Sequence, residues 1–309
     1  MPPLQQSIRD QWLDCAAREA RATLSIQSPQ TLRSNLTVWL DRECLRVTDS
    51  RFGERFAAGC PIPGAVPADY QQRILALPGL GASLLGIRFI GGDTDQPFID
   101  LLAWSQLPTD WRPAIAAISE HFALFEPRSV RVLLAEPPPM PAAEPDQLWL
   151  AARLSTVRSS TPPPLEVEAG GPEDAAGVAA AIAAARAAAP ELSDHLSPAS
   201  AAELGECEAV VRLRRDGVWA GLAAARSGQQ WALFGYEVVE EVLAPEARGQ
   251  GLGPRLQRAL AAALPAEPDL PLFGTIHAKN APSLATARRC GREVVGGWWF
   301  IPADRQTTG

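Results

Sequence analysis

The segment Val242–Leu260, VLAPEARGQGLGPRLQRAL, is where residue types and spacing combine into chemistry. A hydrophobic, strand-like run ends at Leu243, a turn passes Pro245, and Arg248-Gly249-Gln250-Gly251-Leu252-Gly253 opens a helical pattern. The first N–H groups of a helix have no partner within it, and the aligned peptide dipoles add positive potential there. Glycines let the backbone approach a phosphate with no Cβ in the way. The Arg248 guanidinium adds charge and a forked set of donors. Strand, loop, arginine and helix together therefore point to an anion site, a pyrophosphate site above all. A plain tight turn would account for the glycines but not for the rest. Two other phosphate loops do not fit. A dinucleotide fold needs GxGxxG with an acidic residue about 20 positions on, and a Walker loop needs Gly-Lys-Ser/Thr. Here the spacing is GxGxG, and Lys279 is the only lysine in the chain.

Chemistry beside such a loop needs groups that move protons, and the strand before it carries Glu237, Glu240 and Glu241. With a period of two, Glu237 and Glu241 share one face and Glu240 takes the other, unless a bulge resets the parity. A carboxylate there can accept a proton from a reacting group. The alternative is that these are solvated charges or surface ion pairs. Tyr236, one of only two tyrosines, offers a phenolic proton or packs as an aromatic. His277 follows on the next strand, and Asp194 and His195 lie in an upstream loop; a lone histidine in a strand is more often structural.

At this point the chain resembles a known family. RGQGLG is similar to the R/Q-x-x-G-x-G/A signature of the GNAT acetyltransferases, and V-L-A-P is similar to the strand end that precedes it. HAKNAPSLATARRCGR resembles the next block of the family, with Asn280, Ser283 and Gly291 at its spacing. The resemblance runs from roughly Leu165 to Pro302. It implies an acetyl-CoA-dependent N-acetyltransferase whose primary-amine acceptor, a small molecule or a peptide, attacks the thioester directly, with no metal. It also implies a cofactor site: the backbone of Val242 and Leu243 along the pantetheine arm, Arg248, Gly249, Gln250, Gly251, Leu252 and Gly253 around the pyrophosphate, and Asn280 and Ser283 near the arm. Glu237 falls near where some members place a base, and Glu241 and Tyr236 complete the catalytic candidates. The chain also departs from the pattern. Many members carry a proton-donating tyrosine seven residues after the asparagine, where this chain has Ala287, and the aromatic that often follows the helix-ending glycine is Arg292. A non-catalytic acyl-CoA sensor and a transferase of another acyl-CoA stand as alternatives.

The elements that must position these residues read as β-α-(α)-β-β-β-α-β-α-β-β over residues 165–309, a mixed α/β (α+β) sheet. LEVEAG opens it, GPEDAAGVAAAIAAARAAAP is an Ala-rich helix, AVVRLRR and VWAGLAAAR flank a turn at Asp216-Gly217, and REVVGGWWFIP closes it as a hairpin. Trp298 and Trp299 on that hairpin face either the acceptor or the core. RSSTPPP, at 158–164, reads as a linker. Residues 1–157 then form a second α/β domain. Within it QPFIDLLAWSQLP, WRPAIAAISEHFALF and RSVRVLLA read strand–helix–strand, with VWLDRECLRV and SLLGIRFIGG as earlier strands. That order repeats the centre of the C-terminal domain and suggests a degenerate GNAT-like copy, with an unrelated accessory domain as the alternative. Its loop SQLPTDW has no glycine to cradle a pyrophosphate.

Bulk properties agree with a folded globular chain. The 309 residues exceed what most single domains use, and 47% hydrophobic with 20% charged residues fits a globular chain. A net charge of −7 argues against a duplex nucleic-acid partner. Cys15, Cys44, Cys60, Cys207 and Cys290 are scattered, with no CxxC pair and no ligand spacing, as expected of reduced thiols in the cytoplasm. The N-terminal segment is polar and carries acidic residues, unlike a secretory leader. The longest apolar run is broken by Arg186 and is too short to span a bilayer, so no membrane partner is expected. The bias towards arginine, alanine and proline fits a GC-rich bacterial gene, and no feature fixes an oligomeric state.

Overall fold

The computed structural model describes residues 6–158, 166–266 and 268–303. Their contacts divide the chain into two units, residues 1–146 with 296–309, and residues 147–295. In chain order the elements are α1 (Gln6–Glu19), α2 (Pro29–Leu45), α3 (Ser50–Gly59), β1 (Arg73–Leu77), β2 (Gly81–Phe89), β3 (Pro97–Trp104), α4 (Arg112–His121) and β4 (Ser129–Leu134). They continue with β5 (Glu144–Arg153), α5 (Leu154–Arg158), β6 (Val167–Ala169), α6 (Ala175–Ala188), α7 (Ala201–Gly205), β7 (Ala209–Arg215), β8 (Val218–Gln230) and β9 (Leu233–Leu243). The last are α8 (Leu252–Ala263), β10 (Pro271–His277), α9 (Ala281–Arg289) and β11 (Glu293–Pro302). Among the described residues no helix is long and apolar enough to cross a membrane.

In the first unit the strands run in the order β1-β2-β3-β4-β11. The pairings are antiparallel, antiparallel, parallel and antiparallel, and α4 is the crossover of the parallel pair. Leu101, Val130 and Val132 from the strands and Ile115 and Ile118 from α4 form its core. Inside the sheet, Arg131 on β4 makes a two-pronged ion pair with Asp100 on β3, both contacts at 3.0 Å, while its plane lies over Trp298. Trp298 and Trp299 thus belong to the sheet of this unit, where Trp299 packs on the core.

In the second unit the order is β5-β10-β9-β8-β7-β6. From β7 to β5 the pairings repeat the same senses: antiparallel, antiparallel, parallel, antiparallel. Two faces are covered. On one, Leu256 and Leu260 of α8 pack on Ala223, Ala225 and Tyr236. On the other, Val178 and Ile182 of α6 pack on Leu222, Ala224 and Val242. The expected turn at Asp216-Gly217 is present with φ of 51° and 76°, the left-handed pair that a two-residue hairpin turn requires.

Three expectations change. VWLDRECLRV is the second half of α2, not a strand: Leu32, Leu36, Trp39, Leu40 and Glu43 are buried at helical spacing behind a Ser28 cap. REVVGGWWFIP is one strand, because Gly296-Gly297 runs on extended and Gly297 pairs with Leu134 of β4. The strand that the closing hairpin would have given the second unit comes instead from β5, whose residues 147–153 pair along all of β10. Of the expected linker only Arg158 lies within the described residues, as the end of α5.

An ion cluster built on the buried Asp174 ties the start of α6 to the sheet. Arg212 on β7 donates to both Asp174 oxygens, at 2.5 and 2.7 Å, and to Glu168 at 2.8 Å, and it also pairs with Glu173. Trp219 and the Gly171 N–H donate to Asp174 as well. Burial raises the Asp174 carboxyl, but these donors overcome it and hold the group below its ordinary value. Its contribution is therefore present above the ordinary carboxylate range and is lost as pH falls through the depressed value. Arg212→Met, which strands the buried Asp174, is expected to cost about 3 kcal/mol in denaturant unfolding at neutral pH. The penalty should shrink in acid, and a neutral-pH loss below about 1 kcal/mol would show that the cluster is only surface decoration.

Candidate functional site

β9 and β10 begin as a parallel ladder and then part. Leu272 pairs with Tyr236 and Phe273 with Glu237, and no later residues are in register. Between the parted strands lies a cavity of about 200 Å³. Its walls are Val238–Glu241 of β9 and Gly274–His277 of β10, closed by His195, Asn280, Ser283 and Arg292.

A bulge decides which glutamates reach it. β8 pairs Ala225 with Val238 and Ala224 with Glu240, so Val239 is an extra residue on β9. The alternation is reset there. Glu237 and Glu240 share a face and Glu241 takes the opposite one, which corrects the unbulged reading. Glu237 points to Arg226 on β8, 3.4 Å away, and is not part of the cavity wall. Glu240 is 8% exposed and accepts from the N–H groups of Ala199, at 3.1 Å, and Glu241, at 3.0 Å. Burial raises its carboxyl, partly offset by those two donors. Glu241 accepts from Gln257 of α8 at 2.6 Å. Part of its surface faces the cavity, but protein surrounds it. Loss of hydration pushes its carboxyl up to about 7, against the lowering effects of Arg292 and Gln257. It is thus a proton acceptor poised near neutrality. Tyr236 is 5% exposed, inside the core on the α8 face, with its hydroxyl raised chiefly by burial; the fold does not bring it to the cavity.

The loop after β9 has the shape an anion needs. Gly249 and Gly251 have φ of 72° and 70°, and among the described residues nothing lies within 4 Å of where a Cβ on either would sit. Gly251 caps α8, so the N–H groups of Leu252 and Gly253 open the helix towards that free space. Gly253 serves packing, since a Cβ there would come 3.0 Å from Thr286 of α9. Pro254 in the first turn forfeits an N–H that the helix does not need. Arg248 turns away from the loop: its guanidinium donates to the Leu243 carbonyl at 3.1 Å and the Ala181 carbonyl of α6 at 3.0 Å. It acts as a strut between strand end and helix. Gln250 donates to the Glu246 carbonyl at 2.6 Å and accepts from Arg215, which brings an exposed cation from β7 to the loop.

The remaining candidates divide. Val242 is buried under α6, and Leu243 packs towards α8, so both are fixed in the strand that borders the gap. Asn280 caps α9 by accepting the Ser283 N–H at 3.2 Å, and both residues reach the cavity wall. His195 and His277 stack with centroids 4.0 Å apart at its rim, and His277 Nδ1 accepts the Lys279 N–H at 3.2 Å. Glu240 and Arg292 are charged wall residues that the sequence did not place in the site: Glu240 stood only as one of three strand carboxylates, and Arg292 only as a departure from the family pattern. No sequence signal marks the bulge that turns Glu240 inward, whereas Arg292 stood out by its unusual place after Gly291.

No protein-family model matches the chain, and no curated protein matches it either. Among solved structures, an acetyltransferase of the GNAT family from Colwellia psychrerythraea is 13% identical, with 87% of this chain and 96% of that chain covered and a TM-score of 0.49. A GCN5-related N-acetyltransferase from Sphaerobacter thermophilus is 12% identical, covering 78% and 83%, at 0.47. A tandem GNAT protein from the clavulanic acid biosynthesis pathway is 14% identical, covering 84% and 97%, at 0.42. Each TM-score lies under 0.5, so the functional reading below rests on the residues of this chain.

The raised Glu241 carboxyl has a measurable consequence. A group whose folded value is raised contributes stability below its ordinary value, 4.5, and loses it as pH climbs through about 7. Glu241→Gln, which cannot ionise, is therefore expected to stabilise the protein by about 3 kcal/mol at pH 8 and to change little at pH 4. Thermal melts at both pH values test this, and an equal effect at both would mean that Glu241 titrates normally.

Proposed function

We propose that the chain is an acetyl-CoA-dependent N-acetyltransferase of the GNAT superfamily, transferring an acetyl group to a primary amine by direct attack on the thioester. One observation carries the reading: a parallel pair of strands opens after two residue pairs, beside a helix-capping loop whose two left-handed glycines face free space. The acyl donor supplies an activated acetyl group as a thioester. The N–H groups of Gly249–Gly253 face its pyrophosphate, with Arg215 and Gln250 alongside, and the free backbone edge of β9 up to Val242 and Leu243 lines its arm. Arg248 serves the loop by bracing it rather than by touching phosphate.

The amine acceptor enters from the side of His195 and His277. A volume of about 200 Å³ holds an acetyl group and the end of an amine, which favours acetyl over a long acyl chain. Glu241 takes the proton of the attacking amine, and of Glu237, Glu241 and Tyr236 it is the one that borders the cavity. Glu240, on the other face, adds negative charge that attracts a cationic amine. Fixed alignment of amine and thioester supplies much of the acceleration. The acceptor is a small molecule or a peptide amine, and the setting is the cytoplasm.

The first unit is read as a degenerate copy of the same fold. Its strands pair in the same senses as the second, and the loop after β3, SQLPTDW, has no glycine where β9 is followed by RGQGLG. A second reading, an acyl-CoA sensor without turnover, is favoured by one feature: Ala287, at the position of the usual proton donor, is fully buried and offers no proton.

Isothermal titration separates these readings from a protein that binds no acyl-CoA. Acetyl-CoA is expected to bind the wild type and to lose at least tenfold in affinity to Gly251→Glu, whose carboxylate would occupy the open space at the helix start. Equal binding to both would remove the loop from the site. Binding without thiol release across an amine screen would favour the sensor.

A further inference from the structure

Arg292 lines the cavity and has no task in the acyl-transfer reading. It is 2% exposed, and its guanidinium donates to the carbonyl of Leu150 on β5, at 3.1 Å, and more weakly to that of Gly274 on β10, at 3.4 Å. Gly274 directly follows Phe273, the last residue of β10 in register with β9. The cation therefore sits at the apex where the strands part. A Cβ on Gly274 would come within 3.2 Å of its Nη2, so glycine there makes room for it.

A buried cation is costly unless an anion accompanies it. Among the described residues Arg292 makes no ion pair within 4.0 Å. The titratable groups that face the apex are Glu240 and Glu241 from β9, His277 from β10 and Cys290 at the end of α9. From α8 come the neutral Gln257, held on Glu241, and Arg258, which acts on Cys290. With the Glu241 carboxyl pushed up to about 7, its negative charge is incomplete near neutrality. Ala287 adjoins Arg292 through the main chain, the backbone N–H of Arg292 donating to the Ala287 carbonyl at 3.1 Å.

We propose that Arg292 stabilises the sulfur anion released when a coenzyme A thioester is cleaved in this cavity, replacing by charge the hydroxyl that Ala287 lacks. The proposal rests on the acyl-transfer reading above. In the step, the amine lone pair forms the N–C bond, and the C–S bond breaks with its electron pair left on sulfur. The proton of the amine passes to Glu241 and on to solvent. The guanidinium gives up no proton, because its affinity for protons is too high. It acts only by its fixed positive charge in a poorly hydrated site.

The test needs no acceptor. Free coenzyme A is bound to an excess of protein, occupancy is confirmed by isothermal titration, and its thiol is titrated by the ultraviolet absorbance of the thiolate. On the wild type the bound thiol is expected to ionise about one unit or more below that of free coenzyme A. Arg292→Met should return it to the free value or above, and Arg292→Lys, which keeps the charge but not the fork, should fall between. A role confined to holding the strands would leave the thiol unmoved. A wild-type thiol that titrates at or above the free value overturns the proposal, even if Arg292→Met does not fold, and so does a Met variant that titrates like the wild type. Failure of coenzyme A to bind the wild type would instead sink the acyl-CoA reading, and the role of Arg292 with it.

Discussion

Two parallel strands that start a ladder and leave it after two residue pairs must find other partners for the polar groups they no longer share. The site of this protein depends on how that is done. The backbone groups that lose each other between β9 and β10 cannot be left dry without a cost of one or more kcal/mol each. Part of the answer is built in. The Gly274 carbonyl meets a guanidinium, Asn280 caps the helix that follows β10, and the Leu243 carbonyl at the far end of β9 meets Arg248. The gap is thus held by two arginines, one at its apex and one at its mouth. Both work through carbonyl oxygens, which suits a side chain with five donors in a rigid plane.

Polarity in the gap follows from one inserted residue. Without Val239 as a bulge, Glu240 would point away from the side occupied by Glu237. With it, Glu240 takes the face where it meets the Ala199 N–H and Glu241 the face of α8, and both border the same cavity. Their environments differ. Glu240 is held by two backbone N–H groups, and Glu241 by one neutral amide. Neighbouring carboxyls with unlike surroundings divide the labour of binding and proton transfer more readily than an equivalent pair.

Much of the second unit was legible because its signals are local. Asp216-Gly217 needs two left-handed residues, RGQGLG announces a strand-to-helix turn, and the Ala-rich segment before Pro190 has helical character throughout. What was not legible depends on partners remote in sequence. The burial of Tyr236 is set by α8 and not by its own strand. The direction of Arg248 is set by a carbonyl on α6. Gly296-Gly297 has the composition of a turn, but a free edge on β4 draws it into an extended strand, and tertiary pairing overrides local preference there. VWLDRECLRV misled for another reason. Its short apolar runs fit either period, and only the wider window from Leu32 to Glu43 shows the helical one.

The placement of β11 bears on how the protein is made. Residues 297–302 complete the sheet of the first unit along β4, yet they leave the ribosome after the whole of the second unit. Throughout synthesis, then, β4 presents a bare edge, and bare edges are where strands of other chains can add. The first unit therefore cannot close its sheet as it is made, because the strand that covers β4 is encoded after the whole of the second unit.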